Sequence, residues 1–245
     1  MTQRSDILPN KNGWKRLSYT RRCGWVDWGH ALPGNALGLR TQLESERAAW
    51  PGLSQVTVTL NGHPAFAIHY GQGMTGFSAA RHWVIRRGLP RASRESAALG
   101  IFLSASYDLE GAQASFPFSL VTDSGFSAED LVSDLIGFYA AFHGYSQDQQ
   151  RRICGEVSNK ESLRLWDEHL PNGLGSIKNK SLRPVLFPTK ETGDGDTSFP
   201  KEFSSISPSS SGWDWARLQS RFIPGGVVNG GARIEVDRRG VLSVR

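Results

Sequence analysis

Asp27 and His30, inside the stretch RRCGWVDWGHALPG at 21–34, are the residues of this chain whose types and spacing best suit chemistry. On a helical turn, side chains three positions apart share a face. A carboxylate so placed fixes the imidazole tautomer and raises its basicity for general-base work. Alternatively both groups ligate a divalent metal such as zinc, with the remaining ligands drawn from elsewhere in the chain. The same pair also suits a structural role, as a capping aspartate beside a buried, hydrogen-bonded histidine under Trp25 and Trp28. Cys23 follows Arg21 and Arg22, whose charge lowers a thiol pKa, and would need His63 or His69 as its base. An inert, buried cysteine is the reading those residues favour.

Acidic candidates lie further along. Glu129 and Asp130 open the stretch FSAEDLVSDLIGFYAAFHG, where the helix macrodipole and capping already favour acidic residues. Facing the Asp27–His30 turn, Glu129 would act as general acid, base or third metal ligand, with Asp134 as second choice. Glu110, beside Asp108 at the end of another apolar helix, stands where lysozyme-type glycosidases keep their general acid. His82, His143 and His169 show no local metal-ligand spacing, and no P-loop or G-x-S-x-G elbow is present.

The elements that must position these groups are readable from periodicity. Leu37, Leu39, Leu43 and Ala48 predict a helix over 35–50, stopped by Pro51-Gly52. Val56, Val58 and Leu60 alternate with threonines before Asn61-Gly62, which predicts a hairpin, and residues 80–88 add a third strand. Helices are predicted over 93–113, 126–144, 146–158 and 159–171. In the second of these, Ser127 is the expected N-cap, Phe126 staples to Leu131, and Gly144 ends the helix. GWDWARLQSRF reads as a short helix, and ARIEVDRRGVLSV as a hairpin turned at Arg239-Gly240.

The fold class expected is α+β: a small antiparallel sheet flanked by four or five helices, in a single domain. Residues 1–20 would form an N-terminal arm, 21–171 the catalytic core, 172–212 a long mobile loop rich in Gly, Ser and Pro, and 213–245 a segment returning to the core.

Composition narrows the function classes. With 38% hydrophobic residues, eight Trp and twelve Phe, the chain has material for a packed core. A net charge of +5 favours a polyanionic neighbour, but the basic residues come in scattered pairs, which disfavours nucleic acid. Two cysteines make neither a disulfide framework nor a C-x-x-C zinc site. The segment MTQRSDILPNKNGWKR lacks the apolar region of a signal peptide, and no stretch is apolar enough to span a membrane.

Two segments, CGWVDWGHA at 23–31 and FSAEDLVSDLIG at 126–137, together resemble a bacterial family of secreted proteins and lipoproteins of unknown function. That family carries a G-F/W-I/V-D-x-x-H element followed by an S-x-E-D-L-x-S-x-x-x-G element. The segments are also similar to domains of antibacterial effectors that type VI secretion systems inject against the cell envelope. The resemblance implies one site built from Asp27, His30 and Glu129. It further implies a peptidoglycan hydrolase, an amidase or peptidase acting on the stem peptide or its junction to the glycan, in the periplasm of a target bacterium. An immunity protein and a secretion-system carrier would be its partners. A glutamate-dependent muramidase or a Cys23 peptidase on the same substrate is the alternative within that class. A basic binding module or a nuclease toxin is the alternative outside it.

Overall fold

The hairpin that carries Asp27 is held by aromatic packing along its strands together with Thr20 and Gly24 at its turn. In the computed structural model, which describes residues 2–47, 58–74, 77–113, 127–191, 195–218, 234–236 and 242–244, strands β1 (Leu17–Thr20) and β2 (Gly24–Asp27) pair antiparallel with Leu17 opposite Asp27. Tyr19 lies opposite Trp25, their rings edge to face at 5.5 Å, and Trp25 meets Trp166 the same way at 5.6 Å. Thr20 closes the turn, its hydroxyl accepting from the Cys23 N–H at 3.0 Å and donating to the Gly24 carbonyl at 2.9 Å. Gly24 is required: its φ is 66°, and an added Cβ would stand 2.5 Å from the Val185 carbonyl oxygen. Residues 17–20, expected to belong to a loosely attached arm, are therefore a buried strand, and Ile7 joins the same core.

Five α-helices follow the expected order: α1 (Gly34–Ser45), α2 (Arg91–Gln113), α3 (Asp130–His143), α4 (Gln147–Cys154) and α5 (Asn159–His169). The α1 stripe is narrower than expected, with Leu39 and Leu43 buried but Leu37 exposed, and Ala48 lies outside the described residues. Gly144, at a φ of 77°, ends α3 as its spacing predicts. Ser146 and Gln149 form a reciprocal capping box on α4, and the Ser158 hydroxyl accepts from the Glu161 N–H at 3.1 Å to cap α5. Phe126, the expected staple, lies outside the described residues.

The chain divides into two compact units, one of residues 1–36 and 110–205, the other of 37–109 and 206–245. The first holds β1, β2 and α3 to α5 around a core of Ile7, Leu17, Tyr19, Trp25, Leu165 and Trp166. Of the segment 172–212, expected as a mobile loop, residues up to 205 belong to this unit and contribute buried side chains at Leu174, Asn179 and Phe203 and two short 3-10 turns.

The second unit is organised on a six-stranded sheet. Strands β3 (Val58–Leu60), β4 (His63–Met74), β5 (Phe77–Arg86), β6 (Trp215–Leu218), β7 (Ile234–Val236) and β8 (Leu242–Val244) lie in the order β6-β5-β4-β3-β8-β7. All neighbours are antiparallel except β3 and β8. Asn61 and Gly62, at φ 51° and 77°, make the expected two-residue turn between β3 and β4. Residues 215–218 are a strand where a helix was expected. Pairing with β5 and edge-to-face packing of Trp215 on Trp83 at 5.6 Å override local propensity there. Arg239 and Gly240, the expected turn between β7 and β8, lie outside the described residues. The chain is thus α+β, and no helix among the described residues is long and apolar enough to cross a membrane.

Candidate functional site

A stripe on α3 seats the Asp27–His30 turn. Ser133 lies four residues after Glu129 and four before Gly137, so the three share one face. The Asp27 N–H donates to the Ser133 hydroxyl at 3.0 Å, and that hydroxyl donates to the Glu129 carbonyl at 2.7 Å. One turn further on, a Cβ on Gly137 would stand 2.8 Å from the His30 carbonyl oxygen and 3.0 Å from that of Leu32, so only glycine permits this approach. Asp27 ends β2, and its carbonyl accepts from the His30 and Ala31 N–H groups, both at 3.0 Å. The i to i+3 turn expected from the sequence is therefore present.

The partners within that turn differ from expectation. Asp27 does not orient His30 directly. It is buried, and its carboxylate accepts from Arg16, Nη2 to Oδ2 at 2.9 Å, and from the Gly29 N–H at 2.8 Å. The partner of His30 is Asp134, with Nδ1 and Oδ1 3.4 Å apart. Asp134 is buried whereas the imidazole is 37% exposed, and Nε2 has no hydrogen-bond partner among the described residues. Burial opposes the imidazolium, but the Asp134 carboxylate, with Asp27 and Asp130 behind it, prevails and raises the His30 pKa to about 10. His30 is consequently a cation at neutral pH, its basicity raised by a carboxylate as expected, but by Asp134 rather than Asp27.

Glu129 is 2% exposed and precedes the first residue of α3. One carboxyl oxygen accepts from the Thr2 hydroxyl at 2.5 Å; the other is buried with no hydrogen-bond partner. Burial, then the neighbouring Asp130 charge, push its pKa up to about 7 against the Thr2 hydrogen bond. Asp130 is also raised, chiefly by burial, and accepts from both the Ser127 N–H at 2.8 Å and the Ser127 hydroxyl at 2.5 Å. The capping relation expected of Ser127 is thus reversed, since the serine donates.

Asp27, His30 and Glu129 accordingly belong to one neighbourhood, joined through Ser133 and α3 rather than by contact of their own functional groups. The residues missed at the sequence level are Arg16, Ser133 and Thr2. Only Ser133 carried a signal, through its four-residue spacing to Glu129 and Gly137. Metal does not fit here: among the described residues no group of three or more His, Cys, Asp or Glu could hold an ion, and the Asp27 oxygens are committed to Arg16 and Gly29. Cys23 is buried against Cys154, and His63 and His69 stand on β4 in the other unit. The Glu110 and Asp108 side chains lie outside the described residues. Set against known proteins, the chain matches no family model, no curated protein and no solved structure.

Proposed function

We propose that the chain is a peptidoglycan hydrolase acting as an antibacterial effector, an amidase or peptidase that cuts the stem peptide or its junction to the glycan. The observation that carries this reading is the half-exposed His30 imidazolium backed by buried Asp134, on the helix that also holds Glu129 near neutrality. Amide hydrolysis needs one proton delivered to the leaving nitrogen and one taken from water. His30 supplies the first through Nε2. Glu129 takes the second, the Thr2 hydroxyl passing its own proton to the carboxylate as it accepts one from water. The products are an amine and a carboxylic acid; the acid ionises, and a proton moves through solvent from Glu129 to His30 to restore both to their starting states. Arg16 holds Asp27 and with it the turn that aims His30. The net charge of +5 suits a polyanionic wall, and the resemblance of residues 23–31 and 126–137 to envelope-directed effectors supports action in the periplasm, with an immunity protein and a secretion carrier as partners.

A second reading draws on Glu129 alone. A buried carboxyl that keeps its proton near pH 7 is what a glycosidase requires of its general acid. Digestion of purified sacculi by wild type, His30→Ala, Asp134→Asn, Glu129→Gln, Glu110→Ala and Cys23→Ala proteins, with fragments weighed by mass spectrometry, separates the two. New amines released by wild type and lost in His30→Ala and Asp134→Asn support the amidase. New reducing ends lost in Glu129→Gln support the muramidase. Intact sacculi after incubation with folded wild type overturn both.

A further inference from the structure

The two cysteines, remote in sequence, are brought together at a place the proposed chemistry does not use. Cys23 sits in the turn between β1 and β2, and Cys154 is the last residue of α4. Their backbones are laced to each other: the Arg21 N–H donates to the Gly155 carbonyl at 2.9 Å, and the Arg22 N–H donates to the Cys154 carbonyl at 3.0 Å. Thr20 and Glu156 form an antiparallel bridge, and the Val157 N–H donates to the Tyr19 carbonyl at 3.1 Å. Each thiol is buried, both are free, and they share a hydrogen bond with each other.

We infer that Cys23 and Cys154 are a cross-linking site: when the chain folds in an oxidising compartment, the two thiols join as a disulfide that ties the β1–β2 turn to the end of α4. The oxidant is a disulfide-bearing small thiol or protein. A thiolate of one cysteine attacks it, releasing one thiol. The second cysteine then displaces the other half from the mixed disulfide, so two S–H bonds are lost, one S–S bond forms, and the oxidant leaves as two thiols. Burial, then the hydrogen bond from Cys23, push the Cys154 thiol well above its ordinary range. Both thiols of the folded, reduced chain are buried away from an oxidant and Cys154 is held protonated, so the bond forms while the chain is still closing. Three main-chain hydrogen bonds between the segments, two of which make the Thr20–Glu156 bridge, hold the two thiols within hydrogen-bond reach of each other, so the disulfide does not have to draw the segments together. The loop it closes is long, and constraint of the unfolded chain increases with loop length.

The test is refolding of the denatured, reduced full chain in a mixture of oxidised and reduced glutathione, with a parallel refolding in dithiothreitol. Expected from the glutathione arm is a product lighter by two hydrogens, a Cys23–Cys154 peptide after digestion without reductant, and a melting midpoint about 5–10 °C above that of the dithiothreitol arm. The difference should vanish in Cys154→Ser and in Cys23→Ala. Recovery from the glutathione arm of folded chain with two free thiols, or with glutathione attached to either cysteine, overturns the inference. That readout needs no variant to fold.

Discussion

Glu129 and Glu161 are two buried glutamates in the same unit, 2% and 6% exposed, each at the start of a helix, yet their carboxyls are driven in opposite directions. Glu161 accepts from Arg164 at 2.7 and 2.9 Å, from the Thr189 hydroxyl at 2.9 Å and from the Lys190 N–H at 2.6 Å. The Arg164 hydrogen bonds lead in lowering its pKa to about 2. Glu129 has one hydroxyl, no cation in contact and a carboxylate beside it, and rises to about 7. Both glutamates are closed to solvent near a helix start, but burial leads at Glu129, where little opposes it, whereas at Glu161 the Arg164 hydrogen bonds outweigh it. The fully paired carboxyl is held ionised; the one left short of partners is held partly protonated near neutral pH.

The sharpest way to break this contrast is to remove the paired member. Glu161→Ala should destabilise the fold by about 3 kcal/mol, because Arg164 loses its main partner and Thr189 and Lys190 lose their acceptor. A urea midpoint unchanged from wild type would show that those bonds are net neutral. Stability contributed by Glu161 is present above pH 4.5 and disappears as pH falls through about 2.

The second test acts on the unpaired member with the opposite sign. A raised carboxyl means that the folded chain keeps a proton the unfolded chain releases, so stability falls as pH rises from 4.5 through about 7. Glu129→Gln should therefore stabilise the protein by about 2 kcal/mol at pH 8 and leave it unchanged at pH 4, measured by urea midpoints at the two pH values. Equal shifts at both would refute a proton held by Glu129. His30 runs over a later window: its raised pKa gives stability present below pH 6.5 and lost as pH passes about 10, which Glu129→Gln should leave intact.

The smallest effect is expected at Thr2. Thr2→Val keeps the shape and deletes the hydroxyl that lowers the Glu129 pKa. The carboxyl should then titrate higher still, visible in carbon-detected NMR of the Glu129 side chain, with a stability change of about 1 kcal/mol or less at pH 5. A downward shift would mean that water serves the carboxyl better than threonine does.

Much of this was legible in the residues themselves. The α3 stretch declared itself through its apolar stripe and Gly144, and the β3–β4 turn through Asn61-Gly62, because both depend on backbone conformations that local chemistry dictates. The β1–β2 hairpin did not, since its Arg21-Arg22-Cys23 turn is held by Thr20 and by partners near residue 155 that only the fold supplies. Residues 213–218 misled for the same reason, with Trp215 answering to Trp83 across the sheet rather than to its chain neighbours. At the site, residue types were readable and pairings were not. Asp27 and His30 were recognisable as a candidate pair, but each takes its partner, Arg16 or Asp134, from another segment. Long-range pairing of charges carries no period along the chain.

Gly137 has a mechanical consequence. Contact between its bare α-carbon and two carbonyl oxygens of the turn leaves no slack side chain to absorb a displacement. Helix and turn must travel together, so the His30–Asp134 couple behaves as one part with a fixed length. The neighbouring attachments are of another kind: Arg16 reaches Asp27 and Thr2 reaches Glu129 through side-chain tips, which can shift without unseating the helix.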